Sequence, residues 1–169
     1  MGKTRVISLI FLFAALAWMV MIFCFSAQTA DDSSDLSSGL LVGILRGIVP
    51  HWEARSAAEQ LQILDKFHTI FRKFAHFTEY GILGILWTMS TRSGYWEKKS
   101  CKAWRIVLPF CICLLNAVSD EIHQLFVEGR SGEFRDVCID FSGACTGILL
   151  LTFFVFLLRK NHNKRKQSC

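Results

Sequence analysis

Residues 119–147 read SDEIHQLFVEGRSGEFRDVCIDFSGACTG, and they lie between two long apolar runs. Within them stand Asp120, Glu121, His123, Glu128, Arg130, Glu133, Arg135, Asp136 and Asp140. An ionisable side chain at the centre of a bilayer costs about 2.5–3.5 kcal/mol on insertion scales. Such groups persist only where they pair, line water or perform a task. Gly143 and Gly147 have the spacing of a small-xxx-small helix contact. The rest of the chain is expected to set this hairpin at one membrane face and to supply its partners.

Working outward, 169 residues suffice for one domain, and 52% of them are hydrophobic. Apolar runs at about 6–25, 74–91, 104–126 and 134–158 approach the roughly 20 residues a spanning helix needs. The expected fold is an all-α integral membrane bundle of four transmembrane helices, forming a single domain over residues 1–169. The first run is longer than the h-region of a signal peptide, and FSAQTA is a poor cleavage site. Pro109 is expected to kink the third span. The net charge of +5 concentrates at Lys3 and Arg5, in the 92–105 loop with Lys98, Lys99 and Lys102, and in the 159–169 tail. That distribution reports topology rather than a nucleic-acid partner: both termini and the loop are expected in the cytoplasm. Residues 29–71 and 127–133 then lie outside. In the former, Leu40, Leu41, Ile44, Leu45 and Ile48 recur at helical spacing up to Pro50. Ser56-Ala57-Ala58-Glu59 has the form of a capping box, followed by a Leu61, Leu64, His68, Phe71 stripe. Two short extracellular amphipathic helices are expected there. The seven cysteines read as buried free thiols; Cys111 and Cys113, two apart, cannot share one helical face.

This topology brings polar groups from all four spans to the same outer half of the membrane. Arg72, His76 and Glu79 share one helical face, as do Asn116, Asp120 and His123, and again Asp136, Asp140 and Gly143. Ser26 and Gln28 end the first span. Arg72, Lys73, Arg130 and Arg135 could merely neutralise Glu79, Asp120, Asp136 and Asp140. A network needed only for packing, however, is replaceable by apolar residues at little cost. Three chemistries fit the set. For a metal, His76-x-x-Glu79 and Asp120/Glu121 with His123 offer nitrogen and oxygen donors, but histidines are few and no HExxH occurs, so no metal and no other cofactor is expected. Acid–base catalysis would draw on His76, Glu79, Asp120, His123, Asp136 and Asp140, with Ser26 and Ser119 as candidate nucleophiles. Recognition of an anionic headgroup would draw on Arg72, Lys73 and Arg130, with Gln124, Ser26 and Gln28 as polar partners. A small transporter has the least support, since four spans are few and no inverted repeat is visible.

FSAQ at 25–28, RKFAHFTEYGILG at 72–84 and DEIHQLFVEGRSGEFRDVCIDFSGACTG at 120–147 together resemble the VanZ-like family of membrane proteins. The family pattern often has proline where this chain has Glu128, and asparagine where it has Asp140. The resemblance implies a multi-pass protein of the bacterial cytoplasmic membrane acting at the cell envelope. It further implies altered susceptibility to teicoplanin-like glycopeptide antibiotics. The implied partners are membrane lipids and a lipid-linked cell-wall precursor or lipoglycopeptide. It supplies no mechanism, so a headgroup-binding module and a membrane-embedded enzyme acting on a lipid-linked substrate both stand as readings.

Overall fold

The structure, a computed structural model, describes residues 3–27, 39, 41–92, 102–127 and 132–167. Helix α1 spans Lys3–Ser26 and α2 covers 41–48; a 3-10 turn follows at Trp52–Ala54. Helices α3 (Ala57–Arg92), α4 (Lys102–Gln124) and α5 (Phe134–Gln167) complete the fold, and no strand occurs among the described residues. Among the described residues, three stretches are long and apolar enough to cross a membrane: Thr4–Ser26, Ala103–Gln124 and Phe134–Asn161.

Helix α3 differs from the sequence reading. The amphipathic stripe from Leu61 and the apolar run from Phe74 were expected as separate helices, but they form one helix of 36 residues. The reason is local: the only prolines are Pro50 and Pro109, so no proline breaks the backbone ladder between them. At 1.5 Å per residue the helix is about 54 Å long, well beyond the roughly 30 Å of a hydrocarbon core. Its second half carries His76, Glu79, Thr88, Ser90 and Thr91, and hydropathy does not single it out as a span. That half is instead enclosed by protein. Helix α3 packs against α1, α4 and α5, most extensively against α5.

Many of the bundle's large apolar side chains point outward, while its interior mixes small and polar groups with a few large ones. Ala15, Ile22, Tyr80, Leu83, Trp87, Cys113, Ala117 and Ala144 form the buried core. Ile10, Phe13 and Val20 on α1, Leu115 on α4, and Leu149, Leu150, Phe153 and Phe154 on α5 point away from it. Water would not tolerate that many exposed apolar groups; lipid does, and helices then associate through close packing and polar contacts. Both are present. Gly143 of α5 lies on the Phe77 carbonyl of α3, and Gly147 lies on the Gly81 carbonyl. A Cβ on Gly84 would stand 2.6 Å from the Ala144 carbonyl oxygen. Trp18 Nε1 donates to the Glu79 carbonyl at 2.9 Å, and Ser8 Oγ donates to the Ser90 carbonyl at 2.7 Å, tying α1 to α3 along its length. Pro109 is buried within α4, which runs unbroken through it. The five described cysteines are free, but only Cys113 is buried; Cys24, Cys111 and Cys138 are exposed, which corrects the expectation of uniformly buried thiols.

Outside this core, Leu41, Leu45 and Trp52 form a second cluster with Val49, Ile63 and Leu64, folding α2 onto the first turns of α3. The capping box is formed. Ser56 Oγ accepts from the Glu59 N–H at 3.3 Å, and the Ser56 N–H donates to Glu59 Oε2 at 3.0 Å. The same bond from the Ser56 backbone holds the Glu59 carboxyl below its ordinary pKa. The Arg46–Glu53 pair at 2.9 Å is largely exposed and adds little.

Candidate functional site

Helix α3 packs antiparallel to α4 and parallel to α5, which sets the middle of α3 beside the C-terminal end of α4 and the first turns of α5. Each helix contributes from a single stripe. On α3 the inward residues are Lys73, His76, Tyr80, Leu83 and Gly84; on α4 they are Cys113, Asn116, Ala117, Asp120 and Gln124; on α5 they are Asp136, Asp140, Gly143, Ala144 and Gly147. All three follow helical spacing, so the polar groups occupy consecutive turns of a common interior.

A cleft opens between α3, α4 and α5, holding about 250 Å³ with its mouth included. Arg72, Lys73 and His76 line it from α3, Glu121 and Gln124 from α4, and Asp136, Ile139 and Asp140 from α5. Lys73 Nζ donates to Asp136 Oδ1, pinning α3 to α5 at the rim. Gln124 Nε2 donates to Asp120 Oδ2 at 3.2 Å, with Glu121 Oε1 at 3.4 Å. Glu121 Oε2 in turn accepts the Glu133 N–H at 2.9 Å, so a carboxylate from α4 satisfies a free donor at the N-terminus of α5. Deeper, Asn116 Nδ2 donates to the Tyr80 hydroxyl at 3.1 Å. At the floor, one donor atom each from His76, Asp120 and Asp140 lie within 4.8 Å of one another. Asp120 and Asp140 are 0% and 1% exposed. His76 Nδ1 stands 3.7 Å from Asp140 Oδ1, too far for a hydrogen bond.

The segments that build the cleft also decide the family. The family model described as VanZ/LLP1 matches residues 11–157, from within α1 to within α5, and so covers every helix that lines the cleft. The chain belongs to the VanZ/LLP1 family. No curated protein and no solved structure matches it. Family membership and three apolar helices make it a multi-pass membrane protein.

In this VanZ/LLP1 protein the expected site residues divide into groups. Arg72, Lys73, His76, Gln124, Asp136 and Asp140 line the cleft, and Asp120 stands beside His76 and Asp140. Glu79 is partly buried on α3 but does not line the cleft. His123 stacks at a tilt on Phe23 of α1, ring centroids 5.5 Å apart, and so faces away. Ser26 is buried at the end of α1, with no hydrogen-bond partner for its Oγ among the described residues. Gln28 and Arg130 lie outside the described residues. Sequence reasoning passed over Tyr80 and gave Glu121 no role in acid–base chemistry or headgroup binding. Tyr80 had a signal, since it is four residues beyond His76 on the same face; Glu121 had none, because its partner is a backbone N–H of another helix.

Proposed function

We propose that this protein binds the anionic headgroup of an envelope lipid, or of a lipid-linked cell-wall precursor, at the outer face of the bacterial cytoplasmic membrane. Through that contact it changes susceptibility to teicoplanin-like lipoglycopeptides. The carrying observation is the rim of the cleft, where the exposed Arg72 and the half-buried Lys73 stand side by side at the ends of α4 and α5. Charge-assisted bonds from such groups recognise phosphate or carboxylate oxygens. The enclosed part of the cleft holds only about 10 Å³, room for a water or an ion, so in this reading a headgroup meets the rim while its acyl chains stay in lipid. In this reading the second half of α3 is the second of four spans, both termini are cytoplasmic, and α2 with the first half of α3 is extracellular.

Two measurements test it. In a background lacking native cysteines, single cysteines introduced at Glu59 and at Asp65 should label with an impermeant reagent in intact cells. Protection at both, with labelling near Lys98, would place the cleft on the cytoplasmic side. Purified protein should bind short-chain phosphatidylglycerol, followed by tryptophan fluorescence. Arg72→Gln and Arg130→Gln should each weaken that binding at least about tenfold, since a hydrogen bond to a charged group contributes about 1.5–3 kcal/mol. Equal affinity in the arginine variants would sink the headgroup reading.

One observation favours a second reading, a membrane-embedded enzyme: His76, Asp120 and Asp140 converge where water is largely excluded. Stable Asp120→Asn protein that retains headgroup binding but has no effect on susceptibility would favour it, because an amide cannot relay a proton.

A further inference from the structure

Among the described residues, the floor of the cleft is short of positive charge. Asp120 and Asp140 are both buried there, each from a different helix, beside one imidazole. Lys73 is engaged by Asp136, and the Gln124 amide is directed at Asp120 and Glu121. Neither oxygen of Asp140 accepts a hydrogen bond among the described residues. Its nearest partner, His76 Nδ1, is 3.7 Å away. A buried carboxylate in that position is expensive unless a cation meets it.

We propose that His76, Asp120 and Asp140 bind a single first-row divalent cation, Zn²⁺ in the first instance, at the floor of the cleft. Ligand atoms about 2.0–2.2 Å from a common ion are separated from each other by less than about 4 Å. The three groups already lie within 4.8 Å, so side-chain rotation closes the remainder without moving helices. One imidazole nitrogen with two carboxylates selects a borderline ion over Mg²⁺ or Ca²⁺, which prefer oxygen alone. Gln124 holds Asp120 from its far side at 3.2 Å, the outer-sphere support that metal ligands usually have. Three protein ligands leave room in the coordination sphere for water or for an oxygen anion entering past Arg72. The bound ion would therefore supply the charge that an anionic headgroup needs and that the carboxylate floor withholds. Metal binding itself does not depend on the headgroup reading.

The test uses full-length protein in a non-ionic detergent, stripped with EDTA and titrated with Zn²⁺ alone, with Co²⁺ as a visible spectroscopic probe. Wild type should take up one equivalent, and its thermal midpoint should rise. Asp140→Asn and His76→Gln should each lose at least about 100-fold in affinity, more than the 10–100-fold typical of outer-sphere changes. His51→Gln and His68→Gln should bind as wild type does. Asp140→Asn removes an uncompensated charge at constant shape, so its metal-free midpoint should equal or exceed wild type while the Zn²⁺-induced rise disappears. If it fails to fold, His76→Gln carries the same comparison. No uptake by wild type, or uptake unchanged in both ligand variants, overturns the site; loss in the His51 or His68 variants would mark surface binding and also overturn it. The titration contains no added lipid ligand, so failure here leaves headgroup binding by Arg72 to stand or fall separately.

Discussion

Gly143→Ala and Gly147→Ala should each destabilise the protein by about 1–3 kcal/mol, the usual cost of overpacking, and Gly143→Leu should prevent a stable bundle from forming. A Cβ at position 143 meets the Phe77 carbonyl, and one at 147 meets the Gly81 carbonyl. Both obstacles are backbone, which cannot rotate aside as a side-chain tip can. The two helices would have to separate along the widest contact in the bundle. Gly43 and Gly47 in α2 provide the comparison, since a Cβ there meets nothing within 4 Å among the described residues. Alanine at those positions should be neutral or mildly stabilising through its helix propensity. Thermal unfolding in detergent measures both pairs. A neutral Gly143→Ala would mean that α3 and α5 are not in backbone contact. Because Asp140 lies one turn from Gly143, separation of the helices should also lower Zn²⁺ affinity in any Gly143→Ala protein that folds.

The spacing of those glycines was visible in the sequence, and so were the helices themselves. Runs of apolar residues bounded by basic clusters place α1, α4 and the start of α5 within a few residues of their observed ends, because solvation cost acts on every residue of such a run; the end of α5, expected at 158, lies at Gln167, the helix continuing into the basic stretch. The continuity of α3 was not visible. Polarity changes at Arg72 and Lys73, and a change of environment along one helix looks in sequence like a boundary between two. Rotation was also underdetermined. Arg72, His76 and Glu79 and the neighbouring register Lys73, His76 and Tyr80 are both acceptable polar faces. Only packing against Gly143 and Gly147 selects the second, leaving Glu79 at the edge and Tyr80 inside. On α4 the choice between His123 and Gln124 was settled likewise, by Phe23 of α1. His76 and Asp120 were candidate metal donors in the sequence and Asp140 a candidate site residue, but their grouping was not visible, because each comes from a different helix and no linear pattern encodes a three-dimensional spacing.

Lys73→Met should cost more than Asp136→Asn, and the double variant Lys73→Met with Asp136→Leu should recover most of the loss. Breaking a buried pair typically costs about 3–5 kcal/mol because one charge is left without its partner. Here 22% and 21% of the two side chains remain accessible, so the lower end applies. The asymmetry follows from what remains. Without Asp136, Lys73 still faces Asp140 and Glu121 across the cleft, and its long stem can carry the ammonium towards water. Without Lys73, Asp136 is left at a rim shared with those same two carboxylates, with only the exposed Arg72 to offset them. Replacing both residues removes the unpaired charge and fills the space with hydrocarbon, which is often neutral or stabilising. Denaturant titration of wild type, the two single variants and the double variant gives the coupling as a double-mutant cycle. Equal losses in the two single variants, or a double variant no better than Lys73→Met, would contradict this account of the rim. A stable double variant also separates two uses of the pair. If it no longer binds phosphatidylglycerol, Lys73 serves the ligand as well as the fold; if it binds unchanged, Lys73 is a clamp between α3 and α5, and Arg72 carries the anion alone.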